Sequence, residues 1–185
     1  MTAAIHSDAD PGVNTVSMTR YDADFAGFSA SLGESFRRYG FAVVSDHGLD
    51  MSVITAAIAD AKAFFALPED IKRAYHQPGT GGARGLTPFG VEAAKDASAV
   101  DLKEFWHTGR ELPADHPYRS YMRDNLWPSE IEGFRTHVYA MFEALDALGR
   151  RILRAIAHDL GLEDSYFDDK VDMGNSILRM LHYPP

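Results

Sequence analysis

Across residues 129–161 the chain repeats apolar side chains at steps of three and four: Ile131, Phe134, Val138, Met141, Phe142, Leu145, Leu148, Ile152, Ile156 and Leu160. Residues so spaced fall on one side of an α-helix. Ser129 and Glu132 have the spacing of a capping box, and Gly161 stands where a helix C-cap would be. The pattern therefore predicts one long helix whose apolar face must be covered by the rest of the chain. With 185 residues there is enough chain for a sizeable core and for one domain, or part of one.

Shorter elements follow the same logic. After Asp24, the residues Phe25, Phe28, Leu32, Phe36 and Tyr39 form a second helical stripe closed by Gly40. Asp50 caps a third, with Ile54, Ala57, Ile58, Ala61 and Phe65 as its buried side and Leu67 and Pro68 as its end. Pro68 opens one further turn through Ile71. Residues 41–45 are aromatic and β-branched and stop at Asp46, His47 and Gly48, which predicts a buried strand and a turn. Residues 101–107 read as a strand of poor alternation, and residues 175–183 as a strand stopped by Pro184 and Pro185. That last strand needs neighbours, since unpaired edges are a liability, so the rest of a sheet is expected beyond it. Residues 76–90 carry five Gly and two Pro and predict a long flexible loop. Residues 115–127 are turn-like, and residues 1–20 read as a flexible tail.

Composition removes several function classes. A net charge of -9 without a run of Lys and Arg argues against nucleic acid as a partner. The absence of cysteine excludes disulfides, thiolate-bound metals and a thiol nucleophile. The start is polar and acidic, unlike a signal peptide, and the apolar stretches are too short to span a bilayer. A cytoplasmic protein without membrane partners is the expectation.

Six segments, in order, resemble the N-terminal region of the isopenicillin N synthase-like dioxygenases. Arg38, Tyr39, Gly40 and Phe41 with Asp46, His47, Gly48 and Leu49 match the family's glycine, aromatic, strand and Asn-His-Gly signature, with Asp46 where Asn is usual. Phe64, Phe65, Leu67, Pro68, Glu69 and Lys72 fit its "FF-x-LP" run, and residues 84–92 the glycine-rich loop after it. Asp101, Lys103 and Glu104 fit a "D-x-K-E" strand, Asn125, Trp127 and Pro128 fit "N-x-WP", and Leu178, Arg179, Tyr183, Pro184 and Pro185 fit "LR-x-x-x-YPP". The match covers residues 36–185.

This resemblance implies a mixed α+β fold: a helix-rich N-terminal region over residues 21–174, then the first strands of a double-stranded β-helix (jelly-roll) oxygenase core over residues 175–185. The remainder of that core would lie outside this chain, in a C-terminal half that acts as its partner. It implies Fe(II) and 2-oxoglutarate as cofactors and O2 and a small organic molecule as substrates. The iron would be held by a His-x-Asp pair and a distant His, leaving positions open for the 2-oxo acid and O2. Those ligands come after the Tyr-Pro-Pro element in the family. Within this chain only His6 has an Asp two residues on, Asp8, in the tail, where chance explains it; no catalytic or metal residue is assigned.

Tyr183 aligns with a family tyrosine that contacts 2-oxoglutarate, the alternative being a half-buried strand tyrosine. Arg179 could grip a carboxylate bidentately, or bond a neighbouring acid. Both are the cofactor-binding candidates. Leu181 stands where plant members often carry a second contact, Asn. Arg84 and Thr87 are the substrate-binding candidates, in the loop that approaches the substrate side; exposed loop residues are the alternative. His47 reads as a turn residue, and His137 and His158 as surface or boundary histidines lacking the di-iron spacing.

Two functions follow. With its C-terminal half the chain would be an Fe(II)/2-oxoglutarate-dependent oxygenase that hydroxylates or desaturates a small substrate, the fragment alone being inactive. A variant without 2-oxoglutarate, as in isopenicillin N synthase, is subordinate to it. Alternatively the chain is a non-catalytic binding or partner module that has lost the metal site.

Overall fold

The computed structural model describes residues 13, 15–92 and 101–184, and the chain divides into two compact units. The fold mixes helices with small sheets. Among the described residues no helix is long and apolar enough to cross a membrane.

The first unit holds residues up to 48 together with residues 148–170. Strand β1 (Thr15–Ser17) pairs in parallel with β2 (Val43–Ser45). Between them run α1 (Thr19–Ala23) and α2 (Phe25–Tyr39). The Asp24 side chain caps α2 by accepting the Gly27 N–H at 3.0 Å, and Gly40 ends it at φ 77°, as its position predicts. Phe28 and Leu32 are fully buried with Val16, Met18 and Ala155. The expected tail is therefore shorter than residues 1–20: Val16 and Met18 are core residues, since burying them stabilises more than fraying releases. Residues 1–12 and 14, including His6 and Asp8, lie outside the described residues. The strand expected over residues 41–45 is shorter and less buried, because Ala42 and Val44 pack on this core while Phe41 and Val43 are exposed. Asp46 adopts φ 49°, a conformation Asn and Asp tolerate, and its carboxylate takes the Ser17 and Ser45 hydroxyls.

The second unit holds residues 49–147 and 171 onward. Helix α3 (Met51–Phe65) starts at Asp50, which accepts the Ser52 N–H at 2.8 Å, and α4 (Glu69–Arg73) follows Pro68. Ala57, Ala61 and Phe65 of the α3 stripe are buried as expected and Phe64 joins them, but Ile58 is 44% exposed. Strands β3 (Gly85–Thr87), β4 (Glu104–Gly109) and β5 (Ile177–His182) form an antiparallel sheet with β4 in the centre. All of β4 is buried, which explains its poor alternation: a central strand covered on both faces has no polar side to show. Trp106 sits at the middle of an aromatic core, 4.8 Å from Phe64 and 5.1 Å from Phe134 between ring centres.

Helix α5 (Phe134–Asp159) lends its first half to this core and its second half to that of the first unit. It begins later than the capping-box spacing predicts. Gly133, at φ 87°, breaks the helix there, and Ser129 and Glu130 instead bond the Tyr75 hydroxyl. At its other end Leu162 N–H reaches Ala157 and Gly161 N–H reaches His158, a Schellman closure on the expected glycine. A short α6 (Asp168–Val171) precedes β5.

Candidate functional site

In an antiparallel ladder, residues directly opposite share a face, and successive residues alternate faces. The register pairs Gly85 with His107 and His107 with Arg179, and likewise Thr87 with Phe105 and Phe105 with Leu181. These residues line one face, with Gly109 at one end. Tyr183 follows the last residue of β5 and, with Leu181 and His182, lines a pocket against Ile58, Ala61 and Phe65 of α3. Leu86, Trp106 and Met180 line the opposite face against the aromatic core.

Arg84 joins the first face through a missing side chain. A Cβ on Gly109 would collide with Arg84 Cζ, so the guanidinium fills the space that glycine leaves. Its Nη1 donates to the Ala83 carbonyl at 2.7 Å and its Nη2 to Asn175 Oδ1 at 3.3 Å, while Nε is buried without a partner. Arg84 is only 1% exposed, which overturns the solvent-exposed loop alternative. Burial pulls its pKa down and Asp124 acts in the other direction, yet an arginine so placed keeps its charge. Gly109 itself is clamped by Asn125, whose Oδ1 accepts the Gly109 N–H and whose Nδ2 donates to the Gly109 carbonyl, each at 2.8 Å.

Thr87 is also buried, at 4% exposure, and its hydroxyl has no partner. It borders a cavity of about 360 Å³ lined by the glycine-rich loop and Phe105, and Gln77, whose buried Oε1 is equally unpartnered, lines it too. Gly82 is required at its wall: it adopts φ 67°, and a Cβ there would meet the Thr87 hydroxyl at 2.5 Å. The expected loop over residues 76–90 thus contains a strand and builds a wall, because its glycines take left-handed turns that let the chain fold back on Thr87.

In the middle of the face, His107 Nδ1 meets the Gly82 carbonyl and Nε2 meets Arg179 Nε at 2.6 Å. Burial is the largest influence on His107 and lowers its pKa; the Gly82 carbonyl raises it, and the nearby Arg179 charge lowers it. The Arg179 guanidinium lies 4.5 Å above the Phe105 ring. Arg179 thus does not bond a neighbouring acid, the alternative the sequence left open. Tyr183 is 64% exposed, and among the described residues nothing holds its hydroxyl.

The sheet therefore brings Arg84, Thr87 and Arg179 to one face but not to one point, and Tyr183 follows beyond the end of the ladder. Thr87 on β3 lies across from Phe105 and Arg179 on β5 across from His107, so the width of β4 separates them, whereas Arg84 at Gly109 and Tyr183 beyond Glu104 lie at opposite ends of a six-residue ladder, roughly 20 Å apart along it at about 3.3 Å per residue. Among the described residues no group of three or more His, Cys, Asp or Glu could hold a metal, so iron has no ligand set among them; a carboxylate does have donors, in Arg179 and Tyr183. His137 and His158 are half-exposed and bond Asp60 and Asp164, the boundary role their positions predict.

Sequence reasoning missed His107 and, on the opposite face, a buried Lys72–Glu104 pair joined by the half-buried His182. Glu104 is fully buried and takes Lys72 Nζ at 2.8 Å on each oxygen, and His182 Nδ1 at 2.8 Å. A signal existed, since Lys72 and Glu104 are the oppositely charged members of two motifs already singled out.

A family profile described as non-haem dioxygenase in morphine synthesis, N-terminal, matches residues 13–130. The 2-oxoglutarate-Fe(II) type oxidoreductase hxnY of Emericella nidulans is 31% identical over 158 residues, covering 82% of this chain and 45% of its own length. A crystal structure of a protein assigned to the 2OG-Fe(II) oxygenase family from Caulobacter crescentus is similar at a TM-score of 0.87 and 52% identity, over 94% of this chain and 57% of that one. A full-length Neurospora crassa protein crystallised in complex with alpha-KG is similar at a TM-score of 0.78 and 27% identity, over 93% of this chain and 54% of that one. The chain spans about half the length of the relatives it matches. On these matches the chain belongs to the isopenicillin N synthase-like family of 2-oxoglutarate-Fe(II) oxygenases, and it corresponds to their N-terminal region.

Proposed function

We propose that this chain is the N-terminal portion of a cytoplasmic Fe(II)/2-oxoglutarate-dependent dioxygenase that hydroxylates or desaturates a small organic substrate. In this reading the β3–β4–β5 sheet begins the double-stranded β-helix core, and a C-terminal half of the same protein supplies the iron ligands. The observation that carries the reading is the single sheet face shared by Arg84, Thr87 and Arg179, residues from distant parts of the chain.

Bound Fe(II) and 2-oxoglutarate supply the O2-dependent oxidation of a C–H bond. The residues of this chain position and enclose. Tyr183 offers a neutral hydroxyl donor and Arg179 a planar fork to a carboxylate. Thr87, Gln77 and Phe105 shape the cavity that a substrate group would enter. Arg84, buried and charged, sets a positive field along the same face without being spent on an ion pair.

An anaerobic Fe(II) titration, followed by a screen for 2-oxoglutarate-dependent succinate release, tests this on the 185-residue chain and on a polypeptide joining it to the C-terminal half its relatives carry. The reading expects both activities in the longer polypeptide and neither in the chain alone. Succinate release by the chain alone, or no iron binding by the longer polypeptide, would overturn it.

A further inference from the structure

His107 stands between two groups whose bonding is one-directional. The Gly82 carbonyl can only accept, so Nδ1 must carry the proton. Arg179 Nε–H can only donate, so Nε2 must present its lone pair. The neutral Nδ1–H tautomer satisfies both. Imidazolium would set an N–H against the Arg179 N–H and place two cations 2.6 Å apart.

Arg179 is thereby fixed at two points, its Nε on His107 and its plane over Phe105. Its terminal nitrogens, Nη1 and Nη2, make no hydrogen bond among the described residues, and the residue is exposed. Other arginines here are spent on acids, as Arg37 is on Asp159 and Arg154 on Asp168. A guanidinium held flat, with its end unspent, is prepared for a carboxylate, because the freedom it would lose on binding is already lost.

We propose that His107 is a positioning residue: anchored by Gly82, it holds Arg179 so that Nη1 and Nη2 grip a carboxylate of the ligand on this face. The inference rests on the functional reading above and deepens it. The carboxylate belongs either to 2-oxoglutarate or to the substrate, and the chemistry of the grip is the same. The charged groups that face His107 are Arg179 on β5, Arg84 beside Gly109, and Glu92 at the end of the glycine-rich loop. Burial first, and then the two arginines, lower the imidazole pKa against the Gly82 carbonyl and Glu92, which favour its protonation.

The test uses the 185-residue chain and three variants. His107→Gln keeps an acceptor near the Nε2 position, His107→Leu removes it, and Arg179→Lys keeps charge but loses the fork. Long-range 1H–15N NMR reads the His107 tautomer, and calorimetric titrations with 2-oxoglutarate and with benzoate read carboxylate binding from pH 5 to 8. The proposal expects the Nδ1–H tautomer and a loss of about tenfold in affinity in His107→Leu and in Arg179→Lys, the worth of one charge-assisted hydrogen bond. His107→Gln should bind within about twofold of wild type. Wild-type affinity should fall as His107 protonates, while His107→Gln stays flat. Binding of 2-oxoglutarate alone assigns the grip to the cosubstrate, and binding of benzoate assigns it to a substrate carboxylate. An Nε2–H tautomer, undiminished binding in His107→Leu, the same pH profile in wild type and His107→Gln, or no carboxylate binding at all would each overturn it. Should the longer polypeptide release no succinate, the oxygenase reading fails while the tautomer and the carboxylate titrations still stand.

Discussion

Replacing Lys72 with Met would strand the charge buried beneath the strand that leads to Tyr183. Lys72 and Glu104 side chains are 6% and 0% exposed, and the ammonium reaches both carboxylate oxygens at 2.8 Å. Without it Glu104 keeps only His182, whereas Lys72 has a second acid, Glu69, 3.2 Å away and 45% exposed. Removing one partner of a buried pair costs about 3–5 kcal/mol, because the survivor is left without its counter-charge where solvent cannot reach it. Lys72→Met should therefore lower Tm by roughly 6–20 °C, at about 2–4 °C per kcal/mol for a chain of this size. Glu104→Leu should cost less, about 1–3 kcal/mol, since Lys72 can turn toward Glu69 at the surface. The double variant removes both charges and should return to within about 1 kcal/mol of wild type. Thermal unfolding of the four proteins by calorimetry closes the cycle. Single losses that simply add in the double variant would refute the pairing.

Three further expectations follow from the same sheet. Gly109→Ala forces the Arg84 guanidinium from its place and should cost about 1–3 kcal/mol by chemical denaturation, with recovery in Gly109→Ala/Arg84→Ala. Asn125→Ala strips both bonds from the Gly109 backbone and should cost about 1–3 kcal/mol, a loss that Asn125→Asp restores only in part because a carboxylate cannot donate to the carbonyl. The folded-state pKa of His107 lies below its ordinary 6.5, so the unfolded chain takes up the proton first. Wild type should accordingly lose stability relative to His107→Gln as pH falls through about 6.5, with no difference in slope above about pH 8. A constant difference across that range in urea melts would contradict the burial of this imidazole.

Much of the fold is legible in local pattern, since helix period, caps and turn residues are short-range properties. Asp24, Gly40, Asp50 and Gly161 sit where their chemistry places them, and the family could be named from six motifs in order. What failed did so where a distant partner decided. Ser129 and Glu132 have the spacing of a cap, but Gly133 breaks the helix after them and the Tyr75 hydroxyl claims Ser129 and Glu130. Ile58 belongs to an apolar stripe, yet its side of the helix is only partly covered. The chain from residue 15 reads as tail until β2 offers it a ladder.

The candidate site shows the same division. The residue types of Arg84, Thr87, Arg179 and Tyr183 announce polar recognition on their own, because guanidinium and hydroxyl chemistry travels with the side chain. Only the register of β3, β4 and β5 could set the first three on one face, bury Arg84 against a glycine 25 positions away, and turn His107 from one histidine among eight into the group that holds Arg179. Side-chain chemistry is written residue by residue, whereas proximity depends on how strands pair, and pairing is settled by the whole buried core rather than by any segment of it.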